Sequence, residues 1–559
     1  MTQIKANLVD VVKRRIFSAQ LVYENGHIVK IQELGPEHPG DAYLVPGFVD
    51  AHVHIESSML IPDEFAFAAM EKGTLGSVSD PHEIANVLGM QGIEFMRQRA
   101  ALTPFKIMFG APSCVPATPF ETAGATLSAQ DIETLFSSDS VGYLSEMMNF
   151  PGVLHQDPDV MEKLAVAQRY RVPIDGHAPG LKDLAAQKYT EAGISTDHEC
   201  TTLQEAQDKI AAGMHILIRE GSAARDFQAL HSLLSSHPQN VMLCSDDKHP
   251  DDLLEGHIRE QVIKALDLGH ELFDVLNAAT LNPIRHYGLP LGLLQVGDSM
   301  DALLVKDLSS FYIQRAWING EVVVVNEQCQ LPSHPVLPLN LFNASEICAE
   351  ALKLPHPGGS CRVIEAEDGK LFTRQIVASL PSANGFVTAD IDQDILFLAV
   401  VNRYHPAPPA VALIKGFGLK EGAIASSVAH DSHNIVAVGT SAQWLAAAIN
   451  QVIAHKGGLA IASPAHQESI ALPVAGLMSD LPAAVVGPAY HRLNSAVQHL
   501  GSPLHAPFMT LSFMALLVIP ELKLSDKGLF DGTRFRFCSL SANDSEPDIE
   551  TSFPKDDPS

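Results

Sequence analysis

Residues 46–58 read PGFVDAHVHIESS, and the fold turns on how this stretch is interpreted. It opens as an apolar strand, Leu44 to Val49, and runs into a turn that carries His52 and His54. Side chains at i and i+2 of an extended segment point to the same side, so the two imidazoles can grip one metal ion. Asp50 lies one step further back on that face and can orient or join them. His-x-His alone is a weak signal, equally readable as two unrelated polar residues at a strand end. The rest of the chain decides between the two.

From about residue 45 to 286, apolar strand-like runs alternate with helical stretches such as PDEFAFAAMEKG and LLEGHIREQVIKALDLG. This is the pattern of parallel β/α units. Strand candidates fall at 43–49, 74–79, 105–110, 141–146, 172–176, 194–197, 215–219 and 241–245. They predict an α/β fold, a (β/α)₈ TIM-type barrel, whose chemistry sits at the C-terminal strand ends. After His52 and His54, those ends offer Asp80, His82 and Glu83, then Glu146, then His177. Strand 6 adds Asp197, His198 and Glu199, strand 7 adds Arg219 and Glu220, and strand 8 adds Asp246 and Asp247. Strand 3 ends in GAPSC and offers no ligand. Any one of these is unremarkable as a loop carboxylate or a satisfied histidine. Imidazoles and acids at seven of eight strand ends, all on one barrel face, predict a metal site.

The donors are nitrogen and oxygen without thiolate, which suits Zn, Mn, Fe(II) or Co over a structural cysteine-zinc site. Four histidines (His52, His54, His177, His198) and two acids (Glu146, Asp246) are enough for two ions. A two-metal site makes water nucleophilic at neutral pH and polarises the bond attacked, so hydrolysis is the natural reaction class. Asp246 can take the proton of that water and pass it to a leaving nitrogen.

Outside the barrel, residues 3–33 alternate apolar and polar around a turn at Glu24-Asn25-Gly26, and 288–305 and 315–324 again read as short strands. One small composite β-domain, 1–44 plus 287–332, is expected to flank the barrel at 45–286. A Pro-rich linker, LPSHPVLPLNLF, leads into a C-terminal α/β domain at 333–540, of mixed α+β character. That region holds AHDSHNIVAVG, whose His430, Asp431, His433 and Asn434 read equally as a lid over the barrel mouth or as a turn. The polar, acidic stretch 541–559 reads as disordered.

The formal net charge of −28 argues against nucleic acid and anionic membrane as partners. No apolar run approaches the roughly 20 residues that span a bilayer, and the N-terminus carries no apolar signal core. Seven cysteines without a C-x-x-C pair fit a reducing cytoplasm. A homodimer or higher homo-oligomer is the default assembly.

PGFVDAHVHIESS, His177, His198 and Asp246 resemble the amidohydrolase superfamily. Within it, SDPHEIANVLG, DGHAPGL, DHECTT, SDDK, VNRY and AHDSHNIVAVG are similar to the bacterial metal-dependent adenine deaminase family, over about residues 3–540. The resemblance implies a purine-metabolism hydrolase that converts adenine to hypoxanthine and ammonia with a binuclear Mn or Fe(II) centre, Zn being possible. His52 and His54 match one ion's ligands, His177 and His198 the other's, and Glu146 the bridge. Asp246 matches a ligand that also shuttles protons. Many superfamily members carry a carbamylated lysine on strand 4; VGYLSEMMN has none, and Glu146 fits instead. His82 and Glu83 are candidates to bind the ring and donate to it, or else they cap the helix after strand 2. Asp197, Glu199 and Asp247 are expected behind the ligands, and Arg219 and Glu220 as pocket lining or a local ion pair. The alternatives are a cyclic amidase of the dihydroorotase or dihydropyrimidinase type, against which the missing lysine counts, and a catalytically inactive metal-binding relative.

Overall fold

The structure is a computed structural model that describes residues 1–222 and 224–543. Eight short parallel strands form the barrel: Phe48–Val53, Thr74–Ser79, Lys106–Ala111, Tyr143–Met147, Ile174–Gly176, Thr196–Asp197, His215–Arg219 and Val241–Cys244. We refer to them as strands 1 to 8. Strands 1 to 5 are hydrogen-bonded in one series and strands 6 to 8 in another. Ser195 N donates to Ile174 O at 2.9 Å across one seam, and Asp246 N donates to His52 O at 2.9 Å across the other, so the ring closes. Strands 1 and 2 are buried along their whole length. Helices cover the outer face of such strands and side chains fill the interior, so polar residues on them are buried as well.

Two expected elements are each divided in the structure. The run 43–49 is not one strand. Tyr43–Pro46 belongs to a separate sheet, and barrel strand 1 begins at Phe48 and carries His52 within it. The break is at Pro46-Gly47, where the chain changes sheets. A Cβ on Gly47 would lie 2.5 Å from the Leu75 side chain, so only glycine permits the close crossing. The predicted helix over 253–269 is also two helices, Pro250–Glu255 and Ile258–Asp267, interrupted at Gly256.

The separate sheet is composite. Thr2–Asp10, Arg15–Glu24 and His27–Pro36 form an antiparallel meander, and Tyr43–Pro46 lies parallel to the first of them. Tyr43–Pro46 in turn pairs antiparallel with Ala302–Val305, from beyond the barrel, followed by Ile313–Ile318, Glu321–Val325 and Gln328–Cys329. The tight turn at Asn25-Gly26 has positive φ at both residues, as a two-residue hairpin requires.

A second eight-stranded sheet lies C-terminal, in the order Arg374–Ala378, Cys361–Glu365, Ala410–Lys415, Ile395–Val401, Ile435–Gly439, Ala423–Ser426, Gly458–Ala462, Gln467–Ala471. All but one of its pairings are antiparallel, which makes this region α+β. The helix Ala442–His455 packs on it through Leu445, Ile449 and Val452. The tail expectation falls largely outside the described residues. Its first residue, Ser541, is ordered by a bridge to Cys361 and accepts from Arg362. No helix among the described residues is long and apolar enough to cross a membrane.

Candidate metal centre

Strand 1 carries His52 and His54 onto one side, and their Nε2 atoms stand 3.2 Å apart. Asp246, just past strand 8, brings Oδ1 to 3.3 Å from His54 Nε2 and 3.6 Å from His52 Nε2. Across the mouth, Glu146 on strand 4 brings Oε2 to 2.8 Å from His177 Nδ1 and 3.0 Å from His198 Nε2. Its other oxygen lies 3.5 Å from His54 Nε2, so the Glu146 carboxylate stands between the two histidine pairs. The six residues singled out by their positions therefore meet, although they span some two hundred positions of sequence.

Asp50 does not join them. Its carboxylate accepts from Ser245 and from His257 Nε2 at 2.8 Å, and so braces strand 1 against strand 8 beneath the site.

The helix after strand 2 runs His82–Leu88. Its first turn is capped by Asp80, whose Oδ1 accepts from His82 N at 3.0 Å, and by Glu56, which accepts from Ile84 N at 3.1 Å. The His82 and Glu83 side chains are thus released from capping and face the cavity. His82 Nδ1 lies 3.1 Å from Asp80 Oδ2 and 3.5 Å from Glu146 Oε1. Glu83 points the other way. Its Oε1 is 2.5 Å from His430 Nδ1 and its Oε2 contacts His433 Nε2. The AHDSHN segment therefore reaches the barrel mouth and supplies part of its wall.

Behind the mouth, Arg219 pairs with Glu199, Asp226 and Asp246, the last at 3.1 Å, while Glu220 turns away to Lys264 at 2.7 Å. Lys209, fully buried, donates to Asp197 at 2.8 Å, to Glu205 and to Ala178 O. Asp197 in turn accepts from Ala178 N and Glu199 N, each 2.9 Å away, which ties the loops carrying His177 and His198 to one anchor. Asp247 accepts from Ser57. Glu199 is not only behind the ligands: its Oε1 is 3.6 Å from His177 Nδ1 and 3.5 Å from His198 Nε2. Asp80 also joins a donor group. Sequence reasoning noted both acids but assigned neither to the donor set. The apolar roof over the mouth, Leu371, Phe513, Leu516 and Ile519, had no sequence signal at all. Together these surfaces enclose a cavity of about 20 Å³.

The electrostatics follow from crowding acids and imidazoles out of water. Burial pushes the Glu146 carboxyl up, but His177 and His198 outweigh it and hold the group well below the ordinary carboxylate range. Burial acts the same way on Asp246, and hydrogen bonds to His52 and His54 with the charges of His198 and Arg219 reverse it. Glu83 is held low against burial by His430, His433 and His82.

The residues fit a metal centre. Two donors about 2.1 Å from one ion at tetrahedral or octahedral angles stand roughly 3.0–3.4 Å apart, which is the separation of the His52 and His54 nitrogens. Several donor groups can be picked out among the described residues, each with ligand atoms within 4.8 Å of one another; His82, Glu83 and Asp431 form one, and four more lie among the barrel's strand ends. These four are His52, His54 and Asp246; His54, Asp80, His82 and Glu146; His52, Glu146 and His198; and His177, His198 and Glu199. His177 Nε2 is buried without a hydrogen-bond partner. All of these donors are imidazole or carboxylate, as borderline or hard divalent ions prefer.

Residues 43–323 match the amidohydrolase family, and residues 370–536 match the adenine deaminase C-terminal domain. The chain is 48% identical over 550 residues to adenine deaminase of Methanosarcina mazei, covering 96% of this chain and 99% of that one. It is 49% identical over 538 residues to adenine deaminase of Salinibacter ruber, covering 96% and 98%. With adenine deaminase of Parabacteroides distasonis it shares 48% over 537 residues, again covering 96% and 98%. One match holds the barrel's donor residues and the other holds His430 and His433, so both walls of the mouth carry the same assignment: the chain belongs to the adenine deaminase family of amidohydrolases.

Proposed function

We propose that this protein hydrolyses adenine to hypoxanthine and ammonia, a purine-salvage reaction. The observation that carries the reading is the meeting of His52, His54, Glu146, His177, His198 and Asp246 in one enclosed mouth, in a chain 48% identical over nearly its whole length to an adenine deaminase. His52 and His54 would hold one divalent ion, His177 and His198 a second, with Glu146 between them and Asp246 on the strand 1 side. Such ions supply Lewis acidity and make water nucleophilic at neutral pH. The all-nitrogen-and-oxygen donor set supports Mn or Fe(II), with Zn admissible.

The protein's own groups then handle protons and position. Asp246, kept ionised by its imidazole neighbours and by Arg219, takes a proton from the attacking water and delivers it to the departing N6 amine. Arg219 fixes the far oxygen of that carboxylate, so the near one stays turned toward the histidines. His82 and Glu83 face the ring edge where charge develops at N1. The His430 and His433 contacts hold the Glu83 carboxyl in one orientation and give it partners with which to exchange a proton. The apolar roof excludes water from the reacting centre, which strengthens each of these electrostatic contacts.

We also propose the division into 1–44 with 287–332, 45–286 and 333–540, which sheet membership supports, with Val45 and Pro46 closing the composite sheet. A cytoplasmic location is supported by the seven scattered cysteines, which form no C-x-x-C pair. A homodimer or higher oligomer is the assembly we propose on general grounds, to be read by light scattering. The central test is ultraviolet loss of adenine with stoichiometric ammonia release by protein of measured metal content. Metal-loaded protein inert toward adenine would refute the reading.

A further inference from the structure

Building on the adenine-deaminating reading above, we propose that Asp431 is a specificity-determining residue. Its free carboxylate oxygen accepts a hydrogen bond from the imidazole-ring N–H of the purine, and so selects the free base over N9-substituted purines.

Asp431 is 3% exposed and lines the cavity. Its Oδ1 stands 3.8 Å from His82 Nε2, while Oδ2 is buried with no hydrogen-bond partner. A buried acceptor without a donor carries an uncompensated desolvation cost. In a substrate cavity that cost is recovered when a ligand brings the donor. Glu83 is placed differently, because both its oxygens are already met by His430 and His433.

The position fits the length of a purine. The His82 ring faces Glu146 with Nδ1 and Asp431 with Nε2. Asp431 therefore stands one imidazole ring beyond Glu146, beside His82 and Glu83. A purine with C6 at that centre carries its exocyclic amine there too. The donor left for the far end is the N–H of the five-membered ring, and an N9 substituent removes it.

The backbone on either side of Asp431 is pinned, as a recognition group requires. Tyr404 Oη donates to Ser432 O at 2.5 Å. Asn434 donates to Thr122 O at 2.8 Å and accepts from Arg403 N at 3.1 Å. His430 N donates to Ser512 O at 3.1 Å, and the His430 ring stacks on Phe513 at 4.5 Å.

The test is a cycle of two proteins and two ligands. Mn-loaded wild type, Asp431→Ala and Asp431→Asn are assayed with adenine and 9-methyladenine, and metal content and calorimetric binding of both purines are measured on the same samples. A site built around a ring N–H rejects the analogue lacking it by about 10³-fold or more. Wild type is expected to show that preference in kcat/KM. Asp431→Ala should bring it within about tenfold through loss on adenine alone, with Asp431→Asn between the two and metal content constant. An unchanged preference in Asp431→Ala overturns the proposal, because steric exclusion then explains the selectivity. Loss of metal from the variants also overturns it, by making Asp431 a ligand. Should Asp431→Ala fail to fold, Asp431→Asn must still lower the preference for the proposal to stand. If wild type turns over no adenine, the functional reading falls separately. The binding preference then decides on Asp431: its collapse in the variants keeps the assignment, and its persistence removes it.

Discussion

The floor of the cavity and its far wall come from different parts of the chain and differ in chemistry. The floor is built from strand ends of one barrel, where the backbone fixes His52, His54, Glu146, His177, His198 and Asp246 within a few ångströms of one another. The far wall and roof are built from loops of the C-terminal region: His430, Asp431 and His433 on one segment, Leu371 and Phe513 on others. The floor is charged, and its groups are braced from behind by Arg219 and Lys209. The roof is apolar, and it is held by one buried ammonium, Lys523, on the carbonyls of Leu371 and Phe513, and by the stacking of His430 on Phe513. The candidate metal ligands thus sit on barrel strand ends, whereas the groups proposed to meet the ring and the apolar cover come from C-terminal loops.

This contrast breaks if floor and wall respond alike to substitution. The largest effect is expected at the floor. Asp246→Asn should lower kcat by about 10³-fold or more, read by the adenine absorbance assay, with wild-type kcat refuting the proton-shuttle role. Lys209→Met comes next, because removing one partner of a buried ion pair costs about 3–5 kcal/mol. A large fall in Tm is expected, together with weaker metal retention, since Asp197 would lose the ammonium that anchors it between the His177 and His198 loops. At the wall, His430→Ala should cost roughly 10–100-fold in kcat at full metal content. Combined with Glu83→Gln it should be far from additive, because the two side chains share one contact. Additivity in that double-mutant cycle would show that they act apart.

The smallest effect is expected under the roof. Lys523 is fully buried, and its ammonium donates to Leu371 O at 2.8 Å and Phe513 O at 2.9 Å. Burial pushes its pKa down from 10.5 to about 7. Between about pH 7 and 10.5 the unfolded chain therefore binds more protons at this lysine than the folded protein does. Its contribution to stability rises with pH through that window, and is lost as pH falls toward 7. Thermal melts of Lys523→Met should lack the part of the pH slope that wild type shows there. Identical slopes would remove Lys523 from the account of the roof.

The floor was legible in the sequence because each of its residues lies in or just after an apolar run, and strand ends of a barrel converge by construction. His82 and Glu83 were legible as candidates, although their release from capping depends on Asp80 and Glu56 taking that task. Strand 1 was misplaced because LVPGFV is one apolar run, and apolarity does not mark the change of sheet. Pro46-Gly47 was the available clue, and the close approach of Leu75 is what gives it meaning. The wall was half legible. AHDSHN stood out by composition, but its contact with Glu83 joins residues 347 positions apart, and no local pattern encodes that. Leu371, Phe513, Leu516 and Ile519 look like any other core residues until the two regions are docked.

The composite sheet sets an order on how the chain is completed during synthesis. Tyr43–Pro46 pairs on one edge with the N-terminal meander but finds its other neighbour only in Ala302–Val305. Until that strand leaves the ribosome, the edge beside the first barrel strand is open and apolar. The seam between His52 and Asp246 must likewise wait for strand 8. A nascent chain therefore carries two unfinished edges until strand 8 at Val241–Cys244 is made, and one until Ala302–Val305, and a truncation before residue 302 should aggregate rather than fold to a free-standing barrel.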